Sequence, residues 1–203
     1  MDLGLRGTVV LVTGASRGLG AAMALALAGE GATVVAAARS KDSLAEVATQ
    51  GGGRISTVEV DMRDEASVQA LVPEVLARHG RIDGLVNNAG IAPAGKFADQ
   101  DPGVWKDAMT VNVIAPMMLA QAAGVRFTEA LAAEWAAKNV QVNCIAPGAF
   151  VTEAQKAVTE SPDLLAKRVA KIPAGRMADP SEIVPLTCLL VSPLSSFTTG
   201  AIF

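Results

Sequence analysis

The chain has 203 residues, of which 51% are hydrophobic and 18% charged, enough for one substantial core and too few for a second full domain. Seventeen Lys plus Arg against twenty Asp plus Glu give a formal net charge of −3, without the basic excess that tracking a nucleic-acid backbone needs. The apolar runs fall well short of the ~20 residues of a bilayer span and Met1 to Gly7 carries no signal-peptide core, so a cytoplasmic protein with neither nucleic-acid nor membrane partner is expected.

Thr8 to Thr13 (TVVLVT) is a short β-branched run. It is followed by the glycine-rich GASRGLG and by an Ala- and Leu-rich helical stretch ending near Gly29 or Gly31. Strand, glycine turn and helix then recur as Thr33 to Ala37, Lys41 to Gln50, Ile55 to Val60, Glu65 to His79 and Ile82 to Val86. The strands are continuously apolar, as a parallel sheet covered on both faces requires. A single doubly wound α/β domain of three α/β/α layers is therefore expected over 1–203. Beyond a loop from Gly90 to Pro102, a helix is expected around Gly103 to Met109 and a long Ala-rich helical stretch to about Lys138. Val140 to Ile145 reads as the next strand. Gly148 to Arg176 lacks a clear period and reads as a mobile flap or substrate-facing insertion. Helix resumes from Asp179 to Val191, and Gly200 to Phe203 begins a last strand.

Cys144 and Cys188 have no CxxC spacing and no nearby histidine, and read as two buried thiols in a reducing compartment. The only histidine, His79, precedes Gly80 at an expected helix end, where it complements the exposed carbonyls. With one histidine, neither a metal site nor a Ser/His/Asp triad is expected.

Gly14, Gly18 and Gly20 sit between the first strand and first helix. There glycine supplies positive φ, lets backbone approach a diphosphate, and packs helix closely on strand. The second strand should end at the adenosine ribose, and the sequence there reads Ala37, Ala38, Arg39, Ser40, Lys41, with no acid before Asp42. A carboxylate would accept from the ribose hydroxyls and repel a 2′-phosphate. Arg39, with Arg17 from the glycine turn, instead offers guanidinium groups, favouring NADP(H) over NAD(H). The alternative is that both arginines are ordinary solvated residues.

Thr13 to Gly20 (TGASRGLG), Asp61 after the third strand, Asn87 to Gly90 (NNAG) after the fourth, Asn112 within VNV, and Pro147, Gly148 and Thr152 in PGAFVT occur in order along the chain. Together they resemble the short-chain dehydrogenase/reductase family. Ile172 to Ile183 (IPAGRMADPSEI) resembles its 3-oxoacyl-carrier-protein reductase-like members. The resemblance implies a Rossmann fold, NAD(P)-dependent reduction of a carbonyl such as a ketone or 3-oxoacyl thioester, and assembly as a homodimer or homotetramer. It also implies site roles. Gly14, Ser16, Arg17, Gly18, Leu19 and Gly20 would line the diphosphate and adenosine phosphate. Asp61 would meet the adenine amino group with Met62 beside it, and Asn88, Ala89 and Gly90 would pass beneath the adenine and ribose. Pro147, Gly148 and Thr152 would approach the nicotinamide. Asn112 would hold a helix kink and a water of the proton relay, or serve as a polar bracket.

The same resemblance implies a tyrosine that exchanges the proton, a lysine three positions downstream, and a substrate-orienting serine, yet this sequence contains no tyrosine. Between Asn112 and Thr128, where that segment belongs, stands only VIAPMMLAQAAGVRF. Leu119, Ala123, Phe127, Leu131 and Trp135 keep a four-residue spacing across the seam. A continuous helix from Met117 to Lys138 would span about 33 Å, against about 17–20 Å for a strand beneath it. A segment is therefore expected to be lost near 121–127, together with the C-terminal end. Loss of a strand would ask the fourth strand to pair directly with Val140 to Ile145. The enzymatic expectation holds on condition that the protein carries the Ser/Tyr/Lys segment, and an intact mass near 20.7 kDa would refute its presence. The alternative is a catalytically silent NADP-binding homologue that acts as sensor or oligomerisation partner, with Lys106 and Lys138 on helix surfaces.

Overall fold

A computed structural model describes residues 2–92, 100–122, 132 and 136–203. Strands β1 (Val9–Thr13), β2 (Thr33–Ala38), β3 (Ile55–Glu59) and β4 (Gly84–Val86) form a parallel sheet in the order β3-β2-β1-β4. Helices α1 (Gly18–Gly29), α2 (Lys41–Gln50) and α3 (Glu65–His79) connect them. Leu11 lies beside Val35 on one flank and Leu85 on the other, so β1, like β2, is an inner strand of the four.

The side-chain alternation of these strands explains their unbroken apolar sequence. Val10, Val12, Val34 and Ala36 pack toward Ala24 and Leu27 of α1 and Leu44 of α2, while Val9, Leu11, Val35 and Ala37 pack toward Leu71, Val72 and Val75 of α3. Each face is dry, so successive residues must both be apolar. Local signals set the helix ends. Ser40 and Asp64 accept first-turn amides of α2 and α3, and α3 stops at Gly80 in a left-handed conformation, φ 76°, as its position after His79 predicts.

On the α3 side, α4 (Pro102–Met109), a π-helical turn (Thr110–Ile114) and α5 (Ala115–Ala122) run on without a break, contributing Val111, Ala115 and Leu119 to the core. The proposed continuous helix to Lys138 passes through 123–131 and 133–135, outside the described residues. Ala136–Lys138 form a 3₁₀ turn.

The second half differs from expectation in three places. Val140 to Ile145 does not pair with β4, which among the described residues pairs with β1 alone. The Val142–Ala146 stretch instead bonds to the C-terminal residues: the Cys144 amide donates to Ala201 at 2.9 Å and the Phe203 amide to Cys144 at 2.9 Å, around one parallel bridge from Cys144 to Ile202. The physical reason is that the C-terminal residues offer this stretch a backbone edge whose amides and carbonyls it satisfies. Gly148 to Arg176, expected to lack period, contains a 3₁₀ turn at Glu153–Gln155 and helices α6 (Lys156–Thr159) and α7 (Pro162–Val169). Neither helix buries a residue, so neither adds to the core. Finally, Cys188 on α8 (Val184–Val191) is buried but Cys144 is only half-buried.

Candidate functional site

The carboxyl ends of β1, β2, β3 and β4 open onto one groove of about 540 Å³, within the range of ligand and cofactor clefts. Its location outside the strand ends of an open parallel sheet is where ligands bind in such folds. Thr13, the last residue of β1, is fully buried and ties two strand ends together. Its hydroxyl oxygen accepts the amides of Asn88 and Ala89 at 3.1 Å each. The Asn88 side-chain amide returns to the carbonyls of Thr13 and Gly14 at 3.0 and 3.2 Å.

Above this floor the chain turns sharply. Gly14 and Gly18 have φ of 65° and 58°. At Gly20 the constraint is space: a Cβ there would lie 2.3 Å from the Gly14 carbonyl oxygen and 2.4 Å from Asn88 Nδ2. Arg17, extended, precedes α1 without a side-chain cap, leaving first-turn amides turned to the groove at the positive end of the helix.

Thirteen of the fifteen residues expected to bind cofactor line this groove: Gly14, Ser16, Arg17, Gly18, Leu19, Gly20, Arg39, Asp61, Met62, Asn88, Ala89, Gly90 and Thr152. Pro147 and Gly148 do not; both are exposed, and the chain from them to Thr152 approaches the groove only at its end. Thr152 faces the glycine turn, with its Cβ and Cγ2 3.8 Å from where a Cβ on Gly18 would stand. Asn112 lies just beyond the lining, in the π-helical turn, where it brackets Ile91: its Oδ1 accepts the Ile91 amide at 2.8 Å and its Nδ2 donates to the Ile91 carbonyl at 2.7 Å.

The structure adds wall residues that sequence reasoning missed, among them Ser40, Ser43, Arg63, Ile91 and Val111, as well as Glu153 and Ala154 beside Thr152. A serine directly before the helix from Lys41 is a cap signal that could have pointed to Ser40, whose hydroxyl bonds that of Ser43 at 2.9 Å. Arg63 gave no signal; it pairs with Asp107 of α4 at 3.2 Å, and its amide donates to Asp61 Oδ1 at 3.0 Å.

Two ionisations, Glu182 and Cys188, are shifted far from their ordinary values, and neither group lines the groove. The Arg176 fork, with help from the Asp179 amide, holds the Glu182 carboxyl down at about 2. Burial pushes the Cys188 thiol up to about 11, with Glu30 adding to it. Among the described residues no helix is long and apolar enough to cross a membrane.

Known proteins match this arrangement along the whole chain. A family model described as short chain dehydrogenase matches residues 8–124, and one described as enoyl-(acyl carrier protein) reductase matches 117–203. The chain belongs to the short-chain dehydrogenase/reductase family. Its relatives in that family are oxidoreductases. A 3-oxoacyl-[acyl-carrier-protein] reductase of Vibrio harveyi is 31% identical over 234 residues, covering 98% of this chain and 95% of that protein. A D-threitol dehydrogenase of Mycolicibacterium smegmatis is 34% identical over 244 residues, covering 98% and 92%. Among solved structures, a putative NAD(P)-dependent gluconate 5-dehydrogenase from Beutenbergia cavernae with bound NADP superposes with TM-score 0.91 at 31% identity, covering 100% of this chain and 96% of that one. This short-chain dehydrogenase/reductase is nevertheless shorter than that Vibrio relative over their aligned span. The 234 positions aligned with the Vibrio protein exceed the 203 residues available here, so at least 31 are filled by that protein alone.

Proposed function

We propose that this chain binds NADP(H) in the groove and acts as an NADPH-dependent oxidoreductase that reduces a carbonyl, such as a ketone or 3-oxoacyl thioester, to the alcohol. One observation carries the cofactor choice: Arg17, Arg39, Ser40 and Ser43 all line the groove, and the first carboxylate after β2, Asp42, is outside the lining. Two guanidinium groups and two hydroxyls suit a phosphate dianion, which a carboxylate at that place would repel. The residues present fit the dinucleotide: free amides and glycines along the turn for the diphosphate, Asp61 and Met62 for the adenine, Asn88 to Gly90 beneath it, and Thr152 above the turn. When bound, the dinucleotide supplies a hydride at its nicotinamide ring.

The chain's own residues then bind and orient. Asn88 and Thr13 hold the strand ends in register, and Asn112 fixes the backbone at Ile91, beside the expected path of substrate and proton. The relatives named above, one reducing a 3-oxoacyl thioester and others named for sugar alcohols and sugar acids, support a small carbonyl or alcohol substrate. Val104, Trp105, Met109, Ile114 and Met117, all exposed along α4 to α5, support self-association as a homodimer or homotetramer. Two thiols without a disulfide are consistent with the cytoplasm.

A second reading rests on a different observation. With no tyrosine in the sequence, the chain lacks the residue through which its family exchanges the proton, and a silent NADP-binding homologue follows if nothing replaces it. Fluorescence titration with NADPH and NADH, alongside NADPH oxidation at 340 nm with a panel of ketones and 3-oxoacyl thioesters, separates the two. Saturable NADPH binding with turnover is expected. Binding without turnover selects the silent homologue, and absence of binding by well-folded protein overturns both. An intact mass accompanies the assay, to fix which covalent chain is being measured.

A further inference from the structure

Arg176 and Glu182 stand outside the groove, Arg176 on the loop that follows α7 and Glu182 in the 3₁₀ turn Pro180–Ile183. Their side chains meet as a two-pronged fork, Nη1 to Oε2 and Nη2 to Oε1, both at 2.6 Å. Glu182 Oε2 also accepts the Asp179 amide at 2.7 Å, and Asp179 in turn accepts the Ser181 amide at 2.9 Å. Arg176 Nη1 reaches the Met177 carbonyl at 3.2 Å. Residues 176 to 182 are thereby closed into a ring of contacts. Met177 within it and Ile183 just after it are buried in the body of the domain.

The Asp179 and Glu182 contacts to backbone amides are a capping box for the 3₁₀ turn Pro180–Ile183, which leaves the exposed Arg176 fork unexplained by stability. The two side chains are 60% and 42% exposed, and ion pairs in that much water contribute little to folding. What a planar fork does provide is direction as well as distance, and this ring has something to direct. Ala178, inside it, donates its amide to the Ala149 carbonyl at 2.9 Å and accepts the Val151 amide at 2.8 Å. Thr152 is the next residue, set over Gly18, and Thr152 to Ala154 form that wall of the groove. A rigid path therefore runs from the Arg176–Glu182 fork through Ala178 to Thr152. It borders Arg17 and Gly18 of the glycine turn but not Arg39, Ser40, Asp61 or Met62 at the ends of β2 and β3, which build the rest of the adenosine end.

We infer that Arg176 and Glu182 are positioning residues for the dinucleotide: their fork holds the strand-like pairing that presents Thr152 over the glycine turn, and so governs the grip on the half of the cofactor beyond the adenosine. This rests on the NADP(H) reading above. Two variants dissect it. Glu182→Gln keeps an acceptor for the Asp179 amide but loses the charge of the fork, and Arg176→Met keeps the aliphatic stem but loses the fork itself. Calorimetric titration uses two probes, NADPH and adenosine 2′,5′-bisphosphate, which carries the 2′-phosphate and adenosine but no nicotinamide half. A melting curve is recorded for each protein.

Each variant is expected to bind NADPH at least about fivefold more weakly, and the double variant no more than about twofold beyond either single one, as residues acting as a unit behave. Bisphosphate affinity should stay within about twofold and melting temperature within about 2 °C of wild type, less than the shift from ~1 kcal/mol. Unchanged NADPH affinity in both variants overturns the inference. So does parallel loss of both probes with a fall in melting temperature, which marks a merely structural pair. Wild type that binds the bisphosphate but not NADPH also overturns it while sparing the 2′-phosphate site, whereas wild type that binds neither removes the NADP(H) reading itself.

Discussion

Gly20 offers the most direct test of the glycine turn. In Gly20→Ala the new methyl carbon would lie 2.3 Å from the Gly14 carbonyl oxygen and 2.9 Å from its carbon. An ordinary carbon–oxygen approach is about 3.3 Å, so the turn must retreat by roughly 1 Å. Two opposing effects set the stability change. Alanine is favoured over glycine inside a helix by ~1 kcal/mol, and Gly20 is the third residue of α1. Forcing a methyl into a close-packed site costs ~1–3 kcal/mol, with the upper part applying here because the obstacle is backbone. A net loss of ~1–2 kcal/mol remains. The effect on the groove is larger, since a 1 Å displacement of a positioning group can cost about a hundredfold; NADPH affinity should fall by at least about tenfold. Gly29→Ala, at the other end of α1 with nothing within 4 Å of the new carbon, is the control. It should be neutral or stabilising by up to ~1 kcal/mol. Urea denaturation and fluorescence titration of both variants read the two effects. A Gly20→Ala protein that binds NADPH within twofold of wild type and unfolds at the same urea concentration would show that the turn is not packed as described.

Arg39→Ala should weaken NADPH binding by roughly tenfold while leaving NADH unchanged, one solvent-exposed charge-assisted contact being worth about 1.4 kcal/mol; equal losses for both nucleotides would remove Arg39 from the 2′-phosphate. Glu182 titrates at about 2 in the folded chain, below its ordinary 4.5. Its contribution is fully present above about pH 4.5 and disappears as pH falls toward 2. Any difference in urea midpoint between wild type and Glu182→Gln, small at every pH because both side chains of the fork lie largely in solvent, should therefore be constant from pH 8 to 5 and shrink only below that. A gap that already narrows between pH 8 and 6 would contradict the fork. At pH 8 the Cys188 thiol, pushed up to about 11 by burial, stays protonated and unreactive. A maleimide should label the native chain at half-buried Cys144 and reach Cys188 only on unfolding, as peptide mapping would report.

The first half of the molecule is legible because each of its signals is local. Lys41–Gln50 and Glu65–His79 are helices as read, since Ser40, Asp64 and Gly80 mark their ends and those marks act within a single turn. Gly14, Gly18 and Gly20 announce the groove for the same reason: positive φ and close approach are demands on one residue. Arg63 and Ile91 are invisible beforehand because they become wall only when α4 and the π-helical turn dock, through Asp107 and Asn112, against strand ends distant in sequence. Thr13 reads as the last residue of a strand; that its hydroxyl joins two strand ends follows from β4 lying against β1.

Sequence alone determined the alternation of buried strands and amphipathic helices, the anion-receptive turn, the basic residues after β2 and the want of a tyrosine, all of which follow from residue type and spacing. Only tertiary structure decided that Val142–Ala146 takes the C-terminal residues as its partner and leaves β4 with β1, because strand pairing is chosen among all available edges and no edge is written in its own strand. It also decided that Arg176 and Glu182 close on one another: a fork six residues wide requires the turn between them to bend back, and that turn is set by the helix it packs on.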